Sequence, residues 1–343
     1  MKKIRVNMLS MADSVDGQGV GSAYLELVKL LQEKGKDDFE IQINEKIENC
    51  DIVHSHTVEP RNYIKIKNSK VPTIAYVHFL PDTLDGSIKL PKFAFGIFKK
   101  YVIKFYKSAD HLVVVNPIFI KDMVKAGLDK DKITYIPNFV SKKEFYKKSK
   151  KDIKDIKKEY NIDENKFVVL GAGQVQTRKG VLDFVKVAEK LPDVEFIWAG
   201  GFSFGAITDG HKELQKIMDN PPENVKFIGI IPREKMNDIF NMSDLLFVPS
   251  YNELFPMTIL EAMSTDTPLL LRDLELYEDI LFKKYNKAHD NEGFVKKINK
   301  LKNDKDEYKK AVDLAKEVSK FYSEDNVYKM WKEYYSNILK DND

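Results

Sequence analysis

The sequence predicts two doubly wound α/β domains in tandem, and three observations carry that expectation. Short apolar runs alternate with segments of helical period, the pattern of parallel βαβ units. These runs form two sets on either side of the lysine-rich stretch "SKKEFYKKSKKDIKDIKKEY". The chain has 343 residues, 43% of them hydrophobic, which exceeds the usual size of one domain while allowing a large core. The boundaries read from this pattern are 1–150 and 151–322 for two Rossmann-like domains. A C-terminal helix over 323–343, with Trp331 and Tyr335 at i, i+4, is expected to pack back on the first.

In the first set the strand candidates are "IRVNML" at 4–9, "DIVHSH" at 51–56, "TIAYVH" at 73–78, "HLVVVN" at 111–116 and "ITYIPN" at 133–138. The first helix follows a glycine loop, because Val20, Ala23, Tyr24, Leu27, Leu30 and Leu31 recur at helical spacing. The second set comprises "KFVVLGAG" at 166–173, "VEFIWAGG" at 194–201, "VKFIG" at 225–229, "DLLFVPS" at 244–250 and "TPLLL" at 267–271.

Composition narrows the setting. A single cysteine, Cys50, excludes an internal disulfide framework, and the Met-Lys-Lys-Ile start runs straight into a strand-like segment, so a cytosolic protein is expected. No stretch approaches the roughly 18 apolar residues of a membrane span, so contact with lipid would be made from the surface. The net charge of +3 conceals an asymmetry: up to residue 160 there are 30 Lys and Arg against 21 Asp and Glu, a balance of +9, and the remainder stands at −6. Within this basic half, "KFAFGIFKKYVIKFYK" places Lys92, Lys99, Lys100, Lys104 and Lys107 on one helical stripe, with Phe93, Phe95, Phe98, Tyr101 and Phe105 over the remaining surface. A basic face with aromatic residues suits an anionic membrane, nucleic acid would also be drawn to it, and a core helix with a solvated lysine edge is an equally common reading.

Ligands of doubly wound sheets bind beyond the carboxyl ends of strands, which directs attention to the loops there. "DSVDGQGVGSA" offers Gly17, Gly19 and Gly21, where bare backbone could approach an anion, although the G-x-G-x-x-G fingerprint is not met. "GAGQVQTRKG" combines Gly173 and Gln174 with Arg178 and Lys179 ahead of a helix, and two cations at a helix start suit a diphosphate. "YNELFPMTILEA" makes Pro256 the expected first helical residue, with Glu253 in the loop before it and Glu261 about one and a half turns inside. The free amides of that helix start could receive phosphate, and the deeper carboxylate could accept hydrogen bonds from ribose hydroxyls. His54 and His56 form only an H-x-H with no third ligand suggested by spacing, so they read as structural and no metal is expected.

With these motifs in hand, the sequence resembles family 4 of the retaining nucleotide-sugar glycosyltransferases, which share the two-domain GT-B fold with two Rossmann-like domains facing across a cleft. The match rests on Glu-x7-Glu within "FVPSYNELFPMTILEAMSTDTPLLL", with "RKG", "YIPN", "DIVHSH" and His78 closing "TIAYVH". The resemblance implies that Glu253 contacts the donor sugar, Glu261 the ribose and Lys179 the diphosphate, with His78 beside the sugar and acceptor. Gly19, Gly21, Gly173, Gln174, Gly201, Leu254, Phe255, Pro256, Met257 and Thr258 are the implied donor-binding neighbours. Two positions depart from the family pattern. Gln174 follows Gly173 where the family has arginine, which leaves Arg178 as the second diphosphate cation or removes that cation. Asp266 stands in place of a glycine after the Glu261 helix.

Within the family, "NMLSMADSVDGQGVGSAYLE" and "GQVQTRKGV" look most like bacterial enzymes that add a second hexose to monoglycosyl-diacylglycerol, the route to the glycolipid anchor of lipoteichoic acid in Gram-positive membranes. The expected function is transfer of an α-hexose, glucose or galactose, from a UDP-sugar to monoglucosyl-diacylglycerol without metal or other cofactor. His78, Glu253, Arg178 and Lys179 are the expected catalytic residues. Lys99, Lys100, Lys104, Lys107, Phe98 and Tyr101 are expected to meet the acceptor and an anionic membrane from the inner, cytoplasmic face, with no role for nucleic acid. The alternatives are a transferase of the same fold acting on a polyprenyl-linked or soluble glycan, and a non-catalytic nucleotide- or nucleic-acid-binding protein.

Overall fold

The computed structural model describes residues 3–11, 19–81, 92–202, 205, 208, 210–253 and 255–340. The chain divides into two compact units, one of Met1–Phe139 with Tyr322–Asp343, the other of Val140–Phe321.

The first unit runs β1 (Ile4–Leu9), α1 (Gly19–Glu33), β2 (Phe39–Ile43), β3 (Ile52–Ser55), α2 (Pro60–Lys67), β4 (Thr73–Val77), α3 (Lys92–Ser108), β5 (His111–Val114), α4 (Ile118–Lys125) and β6 (Ile133–Tyr135). Its sheet has the order β2-β1-β3-β4-β5-β6, parallel throughout. Residues of β3 and β4 are buried without exception, including the polar His54 and Ser55, as befits strands covered by helices on both faces.

The second unit runs α5 (Lys150–Glu159), β7 (Val168–Ala172), α6 (Val181–Glu189), β8 (Glu195–Ala199), α7 (His211–Asp219), β9 (Val225–Gly229), α8 (Arg233–Asn241), β10 (Leu245–Val248), α9 (Met257–Ser264), β11 (Leu269–Arg272), α10 (Glu275–Ile280), β12 (Asn286–Ala288), α11 (Asn291–Asn303) and α12 (Lys305–Phe321). Its parallel sheet has the order β12-β11-β10-β7-β8-β9. The order reverses between β7 and β10, which is where a sheet of this kind opens a crevice at its carboxyl ends. Phe184, Phe196, Trp198, Phe247 and Phe294 fill the core beneath it.

The last helix, α13 (Glu324–Lys340), belongs to the first unit. It buries Val327, Trp331, Tyr335 and Ile338, which fall on one helical stripe. Trp331 lies 5.2 Å from the His54 ring, and the Tyr335 hydroxyl lies 2.8 Å from His54 Nδ1.

Three local details differ from the sequence reading. The second unit begins at Val140, because the lysine-rich stretch is already bound to α8: Tyr146 N–H donates to Asn237 Oδ1 at 3.1 Å and Lys148 N–H to Asn241 Oδ1 at 2.8 Å. Pro256 is the cap residue ahead of α9, with φ −71° and ψ 116°, so the helix starts at Met257. Asp266 adopts φ +62°, the left-handed conformation for which glycine is the usual residue. Its N–H donates to Met263 O at 3.2 Å and that of Thr267 to Ala262 O at 2.9 Å, closing α9 as a Schellman motif, and Lys316 pairs with the carboxylate at 3.3 Å.

Candidate active site

The second unit assembles its polar residues where β7 and β10 diverge. After β7 the chain forms a 3₁₀ turn over Thr177–Lys179 and enters α6 through Gly180, whose φ is +71°. A Cβ there would lie 2.4 Å from the carbonyl oxygen of Pro249, so only glycine lets this turn pack against the loop leaving β10. That close approach brings Lys179 to Glu253: Nζ donates to Oε1 at 2.6 Å, with side chains 15% and 5% exposed. Burial pulls the Lys179 ammonium below its ordinary range, and Glu253 acts against that shift. A Cβ built on Gly173 would stand 3.9 Å from Lys179 Nζ, which places this glycine beside the cation. The Gly173 carbonyl accepts a hydrogen bond from Trp198 Nε1 at 3.1 Å, fixing the loop from below.

Arg178 is not turned toward Gly173. Its Nε donates to Gln176 Oε1 at 3.0 Å and its Nη1 to the Asn252 carbonyl at 3.1 Å, while Tyr251 N–H donates to the Arg178 carbonyl at 2.8 Å. The guanidinium therefore ties the turn of Lys179 to the loop of Glu253. Gln174 accepts from Gln176 Nε2 at 2.7 Å, extending the same polar chain.

Glu261 is the fifth residue of α9 and is 5% exposed, so it is no surface helix position. Burial raises its pKa, and the opposing influence is Arg233, whose Nη1 donates to Oε1 at 2.9 Å. Arg233 opens α8, lies 3.4 Å from Glu144 through Nε and stacks over Phe145 at 5.1 Å. Nothing in the local sequence singled it out, because it meets Glu261 across 28 residues of chain. Phe255 and Met257 are buried, Thr258 is half-buried in the first turn of α9, and no side chain caps that helix. Gly201 follows β8, and its carbonyl accepts from Val175 N–H at 2.9 Å. Leu254 lies outside the described residues.

In the first unit, Gly19 opens α1 and Gly21 sits buried in its first turn, whereas Gly17 lies outside the described residues. His78 follows β4, is 5% exposed, and has its ring edge-on to Tyr76 at 4.3 Å and 5.8 Å from His56. Burial lowers its pKa to about 3, so it is a neutral imidazole. Its Nε2 is buried without a hydrogen-bond partner among the described residues. Tyr76 is itself anchored, donating to Asn138 Oδ1 at 3.1 Å. His54 and His56 are neutral for the same reason and sit in the aromatic packing around Trp331 and Tyr24. Among the described residues no group of three or more His, Cys, Asp or Glu is placed to hold a metal ion.

Helix α3 corrects the expected spread of aromatic residues. Phe105 is 1% exposed, and Tyr101 is half-buried, donating to the Val58 carbonyl at 2.6 Å, so both belong to packing around α2. Phe98 and Lys99 are half-buried, while Lys100, Lys104 and Lys107 are exposed. The large apolar side chains that reach solvent are Phe93 and Ile97, 75% and 65% exposed. No described helix is long and apolar enough to cross a membrane.

Comparison with known proteins places this arrangement. Residues 152–334 match the family model described as glycosyl transferases group 1, and residues 19–144 match glycosyltransferase family 4. The chain is a group 1 glycosyltransferase. It is 46% identical over 336 residues to alpha-galactosylglucosyldiacylglycerol synthase of Streptococcus pneumoniae (strain ATCC BAA-255 / R6), covering 97% of this chain and 90% of that one. It is 28% identical to the processive diacylglycerol alpha-glucosyltransferase of Acholeplasma laidlawii, over 82% and 83% of the two chains. Among solved structures this glycosyltransferase superimposes on Anabaena HepE in complex with UDP and glucose, with TM-score 0.75, 16% identity and coverage of 97% and 99%. It also superimposes on sucrose-phosphate synthase of Thermosynechococcus elongatus, with TM-score 0.79, 13% identity and coverage of 99% and 100%. Both likenesses concern the fold, which is GT-B.

Proposed function

We propose that this glycosyltransferase moves an α-hexose from a UDP-sugar to monoglucosyl-diacylglycerol, with retention and without metal, at the inner face of the membrane. The observation that carries the reading is the Lys179–Glu253 pair at 2.6 Å beside Gly173, with Glu261 one turn into α9. A shielded ammonium next to open glycine backbone is a diphosphate site, and a carboxylate deeper in the adjoining helix is placed for ribose hydroxyls. The two relatives, a galactosylglucosyldiacylglycerol synthase and a diacylglycerol glucosyltransferase, suggest the acceptor class, and the pneumococcal relative favours galactose as the added hexose.

In this reading the donor diphosphate draws Lys179 away from Glu253, and the released carboxylate accepts hydrogen bonds from the sugar. Glu261, held by Arg233, accepts from the ribose. Neutral His78 orients a sugar hydroxyl by hydrogen bonding rather than by charge. The bond from the anomeric carbon to the leaving phosphate breaks, the acceptor oxygen attacks from the same face, and its proton passes to the departing phosphate. Lys179 stabilises the leaving charge, with Arg178 holding the two loops in register.

Lys99, Lys100, Lys104 and Lys107 are proposed to meet anionic lipid. Exposed Phe93 and Ile97 beside them favour lipid over nucleic acid, which offers no apolar interior to such side chains. Incubation with UDP-galactose or UDP-glucose and monoglucosyl-diacylglycerol, followed by product analysis, tests the reading. A glycan acceptor preferred over the glycolipid would replace it.

A further inference from the structure

A pocket of about 450 Å³ opens between α3 and α4 in the first unit. It is lined by apolar Leu80, Ile103 and Ala126 and by Lys99, Lys100, Lys104 and Lys107. Helix α3 carries five lysines and no acidic residue along its 17 positions. Lys100, Lys104 and Lys107 are spaced i, i+4, i+7, so they share one face and repel one another. Elsewhere lysines find carboxylates, as Lys148 does with Asp238 and Lys287 with Asp273. Among the described residues no carboxylate pairs with these three. Asp122, in the pocket wall, is held by Lys125 at 3.1 Å. Lys104 lies over the Tyr63 ring at 5.6 Å, and Lys107 Nζ would lie 3.1 Å from a Cβ at Gly127. Lys104 is thus backed by a ring and Lys107 by backbone.

Cations that no carboxylate of the described residues pairs with, on an aliphatic cavity, describe an amphiphile: an anion beside the lysines with a short apolar continuation. The exposed stripe extends the argument, since Phe93 and Ile97 precede Lys100, Lys104 and Lys107 on the same face of α3. One end of the helix is suited to acyl chains and the other to headgroups.

We propose that this pocket binds the phosphate headgroup of a single anionic phospholipid as a discrete ligand, distinct from the glycosyl acceptor. The phosphodiester lies among Lys100, Lys104 and Lys107, and the glycerol backbone lies against Leu80, Ile103 and Ala126. This rests on the membrane docking proposed above but makes a separate demand: recognition of one lipid molecule rather than of surface charge. A diffuse basic face responds to charge density alone, whereas a pocket saturates and discriminates.

The experiment titrates the full-length protein with dihexanoyl-phosphatidylglycerol below its micelle concentration, with glycerol phosphate and dihexanoyl-phosphatidylcholine as comparisons. Vesicles of phosphatidylglycerol in phosphatidylcholine form a parallel arm. Wild type is expected to bind the monomeric anionic lipid saturably and the other two at least tenfold more weakly. Each lysine near an anionic lipid changes affinity roughly fivefold, so K104Q/K107Q is expected to weaken binding roughly 25-fold. Ile103→Trp fills the pocket with every charge retained, and is expected to remove monomer binding while leaving low-salt vesicle binding within about twofold. Ala126→Leu fills it from the other wall and guards against misfolding of the first variant, and thermal melting checks both. Monomer binding equal in wild type and both filled variants overturns the pocket. So does glycerol phosphate competing as well as the lipid, which would make the ligand a soluble phosphate. Vesicle binding with no monomer binding also overturns the pocket while membrane docking stands. Monomer binding without vesicle binding supports the pocket and removes the docking.

Discussion

Replacing Glu253 with Gln probes the core of the candidate site through stability as well as activity. The substitution keeps shape but leaves Lys179, 15% exposed, beside a neutral amide. Breaking a buried ion pair by removing one partner costs about 3–5 kcal/mol, and the residual exposure of Lys179 places this case at the lower end, about 3 kcal/mol. A unit of this size shifts its melting temperature by roughly 2–4 °C per kcal/mol, so a fall on the order of 6–12 °C is expected near pH 7. The deficit also has a pH signature. Burial already lowers the Lys179 pKa while Glu253 raises it, so removal of Glu253 lowers it further. The folded state then binds fewer protons at this lysine than the unfolded state, and stability rises with pH toward the ordinary lysine range. Raising pH from 7 to 9 is therefore expected to narrow the gap between Glu253→Gln and wild type. UDP is expected to stabilise the variant at least as strongly as wild type, because its diphosphate replaces the missing carboxylate and meets no competitor. Differential scanning fluorimetry at several pH values, with and without UDP, measures all three. A variant as stable as wild type at pH 7, with the same pH dependence, would refute the argument.

Other outcomes follow from the same geometry. Glu261→Ala is expected to weaken UDP binding in calorimetry while Glu253→Ala leaves it nearly intact and lowers turnover; equal loss in both would contradict the assignment. Arg233→Ala is expected to weaken UDP in the same direction as Glu261→Ala, since it removes the cation that opposes the raised pKa of that carboxylate. Lys179→Ala is expected to slow transfer on the order of 10² to 10³, the scale for one preorganised electrostatic contact, with full wild-type activity retained in EDTA. Changing Lys99, Lys100, Lys104 and Lys107 to Gln is expected to lower sedimentation with anionic vesicles most at low salt, with UDP affinity unchanged.

Among the described strands, sequence reading located all but β2 and β12. β4 and β10 are buried throughout and read as apolar runs, while β3 and β8 are buried just as fully although they carry His54, Ser55 and Glu195. Two of the edge strands were not legible: β2, "FEIQI", is partly solvated between acidic flanks, and β12, "NKA", carries no apolar signal, whereas the edge strands β6 and β9 were read. The motif around Lys179, Glu253 and Glu261 could be read because its parts lie in two short stretches. Arg233 could not, since its role depends on a contact formed only when α8 packs beside α9. Arg178 was legible as a cation, but its tie to the Asn252 carbonyl depends on the loop after β10. On α3 the helical period alone did not say which aromatic residues would be covered by α2, and so misplaced Tyr101 and Phe105.

The most direct test of the account is the product formed by purified protein from UDP-galactose or UDP-glucose and monoglucosyl-diacylglycerol in mixed micelles, analysed by mass spectrometry and proton NMR of the anomeric region. The account predicts one added hexose in α linkage on the glucosyl headgroup. A β-linked product, or release of free hexose with the glycolipid unchanged, would contradict it.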